Sequence, residues 1–350
     1  MNAPINEVAV WNSDDYDQII DVRSPEEFRI DHVPMAVNMP VLSNIERAEI
    51  GTIYVQKSRF LARKKGAIFV SKNIAHHLEN ELSEMDSNFR PLIYCWRGGQ
   101  RSRAFAQICS EIGWQTHILT GGYKSYRRAV VKSLEHIADK FKFVVVGGQT
   151  GSGKTDILVK LEETGAQVVD LEGLAKHRGS LLGAFPDQSQ PSQKYFESQL
   201  VEKLSEFNSK HPVFIEAESS RIGELLIPNN IWKRMSLAPL VMINVPLDAR
   251  SDYLVSSYKN LIFLTKNLTG LIKGMKSRYG NDRMICWQNL LNDKNWLGLA
   301  KNLLEFHYDP AYERSMKRHD RVILKDIIQL NCSTESIIES VNQIKNLKIP

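Results

Sequence analysis

Residues 147–155 read Gly-Gly-Gln-Thr-Gly-Ser-Gly-Lys-Thr, directly after the apolar run Phe143–Val146. A helical pattern begins at Asp156, so the stretch joins a strand to a helix. Glycines in such a loop let backbone N–H groups converge on a diphosphate, and the lysine reaches its distal oxygens. The stretch therefore predicts a P-loop within an α/β fold. The predicted diphosphate ligands are Gly148, Gly151, Ser152, Gly153, Lys154 and Thr155, and Thr155 is also a candidate ligand for Mg²⁺.

A second loop of related design occupies residues 95–102, which read Cys-Trp-Arg-Gly-Gly-Gln-Arg-Ser after the apolar run Leu92–Tyr94. A thiolate at a helix N-terminus is stabilised by the helix dipole and by the loop amides. Cys95 is therefore predicted to be a catalytic nucleophile, and Arg97 and Arg101 are expected to lower its pKa further. The other predicted members of this anion loop are Trp96, Gly98, Gly99, Gln100 and Ser102.

The composition of the 350 residues limits the classes of function. A hydrophobic fraction of 43% is normal for a globular protein, and the length predicts two or three domains. The net charge of +5 permits nucleic-acid binding without requiring it. The four cysteines include no CxxC pair, so neither a zinc site nor a disulfide framework is expected. Cys109, Cys286 and Cys332 fit structural roles better than Cys95 does.

Neither a signal peptide nor an apolar run of membrane-spanning length is recognised, which predicts a cytoplasmic protein without a membrane partner. The order of strand and helix patterns predicts an α/β unit at residues 1–125, a linking helix at 126–140 and a second α/β unit at 141–249. Residues 250–350 are expected to be helical, with a turn at Glu305–Pro310. Such alternation predicts parallel sheets whose sites lie at the carboxyl ends of the strands.

Several polar residues follow predicted strands of the second unit and are candidates for supporting the P-loop. Loops at these strand ends usually face the ligand, and a carboxylate there can hold a metal ion. The alternative is that they are ordinary strand-end charges or members of solvated loops, so their metal roles stay open. The candidates are Asp170, His177, Arg178, Glu216, Glu218 and Arg221.

Three segments of the first unit resemble the rhodanese family in the order expected for it. Asp21–Phe28 resembles the first signature, and His32–Pro40 resembles the second, with Met35 where glycine is usual. The cysteine loop is the third segment. The resemblance implies that the cysteine carries a persulfide or its selenium equivalent, and it adds Asp21 and Arg23 as candidate supporting residues.

The cysteine loop departs from the rhodanese pattern in its length. Five residues separate Cys95 from Arg101, whereas four are usual in that family. A wider loop suits a larger oxyanion, as in the rhodanese-like dual-specificity phosphatases. The departure therefore admits a phosphorylated donor in place of thiosulfate.

Both loops, with the polar inserts near residues 170–180, 190–193 and 218–223, resemble the bacterial tRNA 2-selenouridine synthase family over nearly the whole chain. The resemblance implies an α/β fold with a rhodanese-like parallel-sheet domain, a P-loop NTPase-like parallel-sheet domain and a helical C-terminal region. It also implies a transferase that converts 2-thiouridine at the tRNA wobble position to 2-selenouridine. The resemblance implies that the sulfur is S-geranylated from geranyl diphosphate and then exchanged for selenium from selenophosphate.

This resemblance assigns the two co-substrates and the macromolecular partner. The loop around Lys154 would bind geranyl diphosphate, and the Cys95 loop would bind selenophosphate or carry selenium. No tightly bound cofactor is expected, although Mg²⁺ is a candidate. A tRNA partner agrees with clusters of basic residues near aromatic ones, although such clusters are often plain solvated helix faces. The clusters are Arg59, Arg63, Lys64 and Lys65; Lys124, Arg127, Arg128 and Lys132; Lys273, Lys276 and Arg278; and Lys317, Arg318 and Arg321.

Two other functions fit the same motifs. One is a sulfurtransferase or phosphatase coupled to an ATP-binding P-loop domain, which would act without RNA. The other is a non-catalytic, nucleotide-binding scaffold in which the rhodanese-like module senses redox state. The intact pair of Cys95 and Arg101 argues against an inactive module. The sequence leaves the oligomeric state open.

Overall fold

The structure is a computed structural model that describes residues 3–9, 13–179, 183, 188–257, 265–316 and 321–349. Its internal contacts divide the chain into two compact units. The first comprises Met1–Ser133 with Ser192–Glu202, and the second comprises Leu134–Pro191 with Lys203–Pro350. Within the described residues, the helices are all too short or too polar to cross a membrane.

The first unit is built on a five-stranded parallel sheet. Its strands are β1 (Asn6–Val8), β2 (Gln18–Asp21), β3 (Val37–Asn38), β4 (Pro91–Tyr94) and β5 (His117–Leu119). They lie in the order β1-β5-β4-β2-β3, so β4 is the central strand. All four residues of β4 are buried, as expected of a parallel strand with both faces covered.

Helices of the first unit flank this sheet, and two of them form a separate hairpin. They are α1 (Pro25–Ile30), α2 (Asn44–Gln56), α3 (Arg59–Asn80), α4 (Gln100–Ile112) and α5 (Gly122–Leu134). Helix α2 begins with a capping box, because Ser43 Oγ accepts from the Glu46 amide and the Glu46 carboxylate accepts from the Ser43 amide. Helices α2 and α3 pack against each other, and α2 has no buried residue.

The second unit is built on another five-stranded parallel sheet. Its strands are β6 (Phe143–Gly148), β7 (Gln167–Val169), β8 (Val213–Glu216), β11 (Leu240–Asn244) and β12 (Ile323–Ile328). Their order is β12-β11-β6-β8-β7, which places β6 at the centre. A short antiparallel pair, β9 (Arg221–Ile222) and β10 (Leu225–Leu226), lies outside this sheet.

The remaining helices include most of the C-terminal region. They are α6 (Lys154–Glu163), α7 (Leu171–Ala175), α8 (Gln193–Ser205), α9 (Asn229–Leu237), α10 (Leu247–Ser257), α11 (Thr265–Gly274), α12 (Lys276–Asn292), α13 (Trp296–Leu303), α14 (Asp309–Met316) and α15 (Thr334–Lys345). Helix α12 is kinked at Gly280, whose φ is 73°. The predicted fold class is confirmed: two parallel-sheet α/β domains and a helical C-terminal region.

Three local features differ from the sequence prediction. The C-terminal region also supplies β12, an edge strand whose mostly exposed residues gave little apolar signal. The turn predicted at Glu305–Pro310 is wrong, because Leu304–Tyr308 form a π-helical turn that runs into α14. The Asp309 amide donates to the Leu304 carbonyl, so the chain stays helical up to Pro310. The linking helix expected at residues 126–140 is the end of α5 followed by a 3₁₀ turn, Ile137–Lys140.

Helix α8 contributes to the first unit up to Glu202, although the sequence boundaries place it within residues 141–249. The hydroxyl of Ser198 donates to the buried carboxylate of Asp31 at 2.9 Å. Arg127 forms an ion pair with Glu197, so one member of the second basic cluster has a structural partner. These contacts join positions 70 to 167 residues apart, which no local pattern could show. The sequence boundaries otherwise stay predictions.

Replacing Met35 by glycine is expected to stabilise the first unit. Met35 has φ 63°, a left-handed conformation that is unfavourable for any residue with a Cβ. Its side chain is 79% exposed, so little packing offsets this cost. Because glycine also loses more backbone entropy on folding, the net gain should be about 0.5–1 kcal/mol. The measurement is denaturant unfolding followed by circular dichroism. The control is Val55→Gly, at a similarly exposed position inside α2, which should lower the free energy of unfolding. A lower free energy of unfolding for Met35→Gly would contradict backbone strain at Met35.

Two anion-binding loops as the candidate functional site

The cysteine loop begins where the central strand β4 ends. Cys95 directly follows Tyr94, and its Sγ accepts a hydrogen bond from the Gly99 amide at 3.2 Å. Gly99 is also the N-cap of α4, so the sulfur lies at the N-terminus of that helix. The Oγ of Ser102, which is fully buried, lies 3.3 Å from the same sulfur. This is the strand–loop–helix cradle that the sequence indicates.

Neutral donors, rather than arginine side chains, stabilise the Cys95 thiolate. Burial raises the pKa of Cys95, but hydrogen bonds from the Ser102 hydroxyl and from neighbouring backbone amides outweigh this, so its pKa is lowered. Those amides belong to Ser102, Arg97 and Gly99. The side chains of Arg97 and Arg101 were expected to lower this pKa further. Instead, Arg97 acts through its backbone amide, and Arg101 pairs with Glu27 at 3.0 Å.

Glycines shape the cradle where backbone segments approach closely. Gly98 has φ 65°, and a Cβ there would lie 2.9 Å from the Leu119 carbonyl oxygen. Gly122 has φ 57°, and a Cβ there would overlap the carbonyl oxygen of Cys95. The Tyr123 amide donates to that same carbonyl at 2.9 Å. The N-terminus of α5 therefore fixes the start of the loop only because glycine occupies both positions.

A cavity of about 410 Å³ lies beside the cysteine loop. Glu27 is central to it, because Arg47 and Arg101 both pair with its Oε2, at 3.1 and 3.0 Å. Burial raises the pKa of Glu27, but the hydrogen bond from Arg101 is part of what lowers it overall. Trp96 lines the cavity and is 38% exposed. A paired guanidinium and an open indole thus border the loop on its solvent side.

The two candidate supports from the rhodanese resemblance lie in the interior. Asp21 and Arg23 are 0% and 1% exposed and form an ion pair at 2.6 Å. Arg23 also donates to the Asp31 carbonyl at 2.6 Å and stacks over the Tyr123 ring at 4.0 Å. Neither residue lines the cavity; Arg23 contacts Tyr123, whose ring lies 5.1 Å from that of Trp96 in the loop.

The P-loop follows the central strand of the second sheet. Gly151 and Gly153 have φ 83° and 73°, and a Cβ on Gly148 would lie 2.5 Å from Ser152 Oγ. Lys154 begins α6 and donates from Nζ to the Gly148 carbonyl at 2.8 Å. Ser152 is fully buried, and its Oγ has no hydrogen-bond partner among the described residues. The predicted diphosphate ligands are therefore brought together in one loop.

Carboxyl groups surround the P-loop lysine. Burial is the main cause that lowers the pKa of Lys154, against the opposing charges of Glu172 and Glu218. Burial likewise raises the pKa values of Asp170, Glu172, Glu216 and Glu218. Sequence reasoning missed Glu172, which accepts from the Thr155 hydroxyl at 3.3 Å and whose amide donates to Glu216 at 2.6 Å. Its position two residues after Asp170, past the same strand, was the available signal.

The other three candidate supports lie in different surroundings. Arg178 lines the cavity beside the P-loop, whereas the described cavity lining lacks His177 and Arg221. His177 is buried, and burial lowers its pKa. Arg221 is exposed and donates from Nε to the Gly223 carbonyl at 2.9 Å. A ligand role therefore suits Arg178 best, and the roles of all three stay predictions.

The P-loop opens into a cavity of about 640 Å³ with two kinds of lining. One side carries the loop itself with Lys154, Thr155, Glu172 and Glu218. Apolar and aromatic side chains from α9, α10 and the region before β12 also line the cavity: Trp232, Leu254, Tyr308, Ala311, Tyr312 and Met316. The volume falls in the range of small-molecule sites. Such a lining suits a ligand with an anionic head and an apolar body.

A buried arginine, which sequence reasoning also missed, braces the P-loop. Arg250 is 3% exposed and forms a two-point ion pair with Asp309, at 2.8 Å for each contact. It also donates to the Thr150 carbonyl in the loop at 3.2 Å and to the Val245 carbonyl at 3.1 Å. The ion pair joins α10 to α14, and the contact with Thr150 joins α10 to the loop. Because these partners are 59 and 100 residues apart in the sequence, no local pattern indicated them.

Comparisons with known proteins agree with these two loops. A family model described as the tRNA 2-selenouridine synthase AAA domain matches residues 141–343, and a rhodanese-like domain model matches residues 7–129. A tRNA 2-selenouridine synthase of Psychromonas ingrahamii is 30% identical over 342 residues, covering 89% of this chain and 91% of the relative. One of Shewanella halifaxensis is 31% identical over 341 residues, covering 88% and 91%. One of Nitrosomonas europaea is 34% identical over 244 residues, covering 69% of this chain and 63% of the relative.

Ser102→Ala should raise the pKa of Cys95 towards its ordinary value. The variant removes the hydroxyl that lies 3.3 Å from Sγ and favours the thiolate. The pH profile of alkylation by iodoacetamide should therefore shift to higher pH. The assay uses a Cys286→Ser, Cys332→Ser background, so that Cys95 and Cys109 are the remaining thiols. Cys109 is kept because burial raises its pKa to about 12 and makes it unreactive.

The matched control is Ser110→Ala, which removes another buried serine hydroxyl of α4 that donates to the Ala3 carbonyl instead. Its alkylation profile should match that of the background protein. An unchanged profile for Ser102→Ala would show that the amides alone set the ionisation of Cys95.

Arg250→Lys should weaken the binding of inorganic pyrophosphate by about tenfold. Lysine keeps the charge but cannot form the two-point pair with Asp309 while donating to the loop carbonyl. Isothermal calorimetry measures the affinity, and circular dichroism checks the fold. Arg234→Lys, at an exposed pair with Asp139, should leave the affinity unchanged. Equal affinities of the two variants for pyrophosphate would show that the contacts of Arg250 do not hold the loop in its binding geometry.

Proposed function

The chain belongs to the tRNA 2-selenouridine synthase family, and on this basis we propose that it converts wobble 2-thiouridine in tRNA to 2-selenouridine. The proposed route has two steps. The first is S-geranylation of the thiouridine from geranyl diphosphate. The second replaces the S-geranyl group by selenium derived from selenophosphate.

The observation that carries this proposal is the mixed lining of the cavity at the P-loop. Loop amides and Lys154 suit a diphosphate, and the side chains of Trp232, Leu254 and Tyr312 suit a hydrocarbon chain. A prenyl diphosphate has these two parts. Ser257, Ser315 and Arg321 also line the cavity, but its apolar and aromatic part favours the prenyl donor over the ATP alternative.

In the first step the thiouridine sulfur attacks the first carbon of the prenyl chain. A carbon–sulfur bond forms, the carbon–oxygen bond breaks, diphosphate leaves with the electron pair, and the base loses its N3 proton to solvent. The developing negative charge lies where the loop amides and Lys154 can stabilise it. Lys154 Nζ now donates to the Gly148 carbonyl, so it must turn towards the diphosphate when the donor binds.

A divalent cation fits beside this loop. Thr155 and Glu172 would hold it, since their oxygens lie 3.3 Å apart and both line the cavity. Among the described residues, no cluster of three or more His, Cys, Asp or Glu side chains forms a metal site. Oxygens of the diphosphate would therefore have to complete the coordination, and Mg²⁺ would then neutralise part of the charge that leaves with them.

In the second step we assign the attack on selenophosphate to Cys95. The thiolate attacks phosphorus, a sulfur–phosphorus bond forms, and selenide leaves with the electron pair of the broken phosphorus–selenium bond. Selenide then attacks C2 of the S-geranylated base, and geranylthiolate departs. Water hydrolyses the phosphocysteine and restores the thiol. The balance needs no oxidant, whereas a cysteine-bound selenium formed directly from selenophosphate would need one.

Three features support attack at phosphorus. The loop holds five residues between Cys95 and Arg101, which gives room for a tetrahedral oxyanion. The Gly99 amide points at the sulfur, so neighbouring amides can also donate to phosphoryl oxygens. The Ser102 hydroxyl, 3.3 Å from Sγ, can stabilise the thiolate as it leaves during hydrolysis.

Two variants should separate the steps. Cys95→Ala is expected to abolish selenium incorporation while sparing prenylation, because it removes only the nucleophile of the second step. Lys154→Ala is expected to reduce prenylation by at least about a hundredfold, because the departing diphosphate loses its cation. The measurement is a mass spectrum of nucleosides from tRNA hydrolysed after incubation with the protein, geranyl diphosphate and selenophosphate.

Matched controls remove the same residue types elsewhere. Cys286→Ala changes an exposed thiol, and Lys160→Ala changes an exposed lysine of α6 that pairs with Glu163. Both should give the parental nucleoside profile. Identical profiles for Cys95→Ala and Lys154→Ala would refute the division of labour, and turnover of a phosphoester without any change in tRNA would favour the phosphatase alternative.

A further inference from the structure

Helices α2 and α3 form a hairpin whose tip lies outside both loops, although Arg47 near the start of α2 pairs with Glu27 beside the cysteine loop. Residues 50–78 contain six Lys or Arg residues and no Asp or Glu. Outside the hairpin, basic and acidic residues are nearly equal in number, so this segment holds most of the net charge of +5. A local excess of this size produces a positive surface potential that attracts a polyanion.

The basic side chains at the start of α3 are exposed. Arg59, Arg63 and Lys64 are all exposed, and the ion pairs of the described residues include none of the three. Lys65 differs, because it pairs with Glu49 at 3.3 Å and lies 4.9 Å from the Phe69 ring. Successive residues at spacing three and four share a helix face, so Phe60, Arg63 and Lys64 lie together.

Exposed apolar and aromatic side chains are interleaved with these charges. Phe60 is 72% exposed, Val55 83% and Tyr54 47%. The Arg59 guanidinium lies 5.5 Å from the Tyr54 ring centroid. Helix α2 has no buried residue, and α3 buries only Ala62, Ile74 and His77, so the large apolar side chains at the tip are presented to solvent. Packing therefore does not explain why these large apolar side chains are present.

We propose that the tip of this hairpin, Tyr54–Lys64, is the surface that docks tRNA; the inference rests on the proposed function. Arg63 and Lys64 would contact phosphates, and Phe60 and Tyr54 would stack on unpaired bases. The same arrangement disfavours two other occupants, a second copy of the chain and a membrane surface. A second copy at the same face would bring like charges together. A membrane-surface helix separates its apolar and basic faces, whereas here they alternate.

The test uses the full chain and tRNA that carries 2-thiouridine. The double variant Arg63→Glu, Lys64→Glu should lower the affinity at least tenfold at 0.1 M salt and reduce the salt dependence of binding. Phe60→Ala should lower the affinity by about tenfold through lost stacking. With saturating tRNA, the rate of modification by both variants should equal that of the parent, because neither loop is altered.

The matched control is Lys345→Glu, Lys348→Glu, which makes the same change of charge at exposed positions near the end of the chain. It should bind tRNA as the parent does. Failure of the parent itself to bind tRNA would overturn the proposed function, whereas parental affinity in the hairpin variants would overturn the docking surface alone.

Two further measurements identify a different occupant. Sedimentation of the parent and of Phe60→Ala would reveal a dimer interface if the variant were monomeric with unchanged tRNA affinity. Co-sedimentation with phosphatidylserine vesicles would reveal a lipid surface if only that binding were lost. Either result would overturn the assignment to RNA.

Discussion

Both candidate sites depend on backbone amides held at the carboxyl end of the central strand of a parallel sheet. Neither β4 nor β6 can direct its following amides inward unless the loop turns tightly, and that turn requires positive φ at Gly98 and at Gly151. The close approach of Gly122 to Cys95 adds the same requirement from a neighbouring helix. A Cβ at these positions would push apart the donors that make either loop an oxyanion site.

The two loops meet different chemical demands with the same geometry. Around Cys95 the stabilising donors are neutral, so the pKa of the thiol is lowered without a cation bound to it. Around the P-loop the donor is Lys154, whose charge faces Glu172 and Glu218. Neutral donors suit a nucleophile that must stay reactive, whereas a cation suits a leaving group that departs with full negative charge. The proposed order of prenyl and selenium transfer assigns each loop to the matching demand.

Local sequence was sufficient for the two loops and insufficient for what braces them. Strand, glycines and helix start are contiguous in residues 143–156, so the P-loop could be located without a structure. Arg250 and Asp309 could not be connected to Thr150, because the contacts span 59 to 100 residues. Edge strands β1 and β12 were missed since their residues are largely exposed and lack a buried apolar run.

The loop amides lower the pKa of Cys95 as predicted, whereas the side chains of Arg97 and Arg101, predicted to lower it further, are not among the main causes. Two arginines within six residues of a cysteine indicate an electropositive loop, but a sequence does not show where a long side chain is paired. The Arg101 guanidinium pairs with Glu27, which is 74 residues away in the sequence, at 3.0 Å. The sequence thus located the cysteine and its amide donors, and the fold added the hydroxyl contact of Ser102 and the pairing of Arg101 with Glu27.

The carboxyl groups at the P-loop would limit the conditions under which the proposed diphosphate could enter. Burial raises the pKa values of Glu172, Glu216 and Glu218, so the folded chain binds their protons more tightly than the unfolded chain does. Stability of this unit therefore falls as pH rises from the ordinary carboxyl range towards the raised values. Over that same interval each proton lost from Glu172 or Glu218, which line the cavity, would add a negative charge facing the proposed diphosphate. A divalent cation at Thr155 and Glu172 would offset that charge, so entry of the prenyl donor and occupancy by the cation should be coupled.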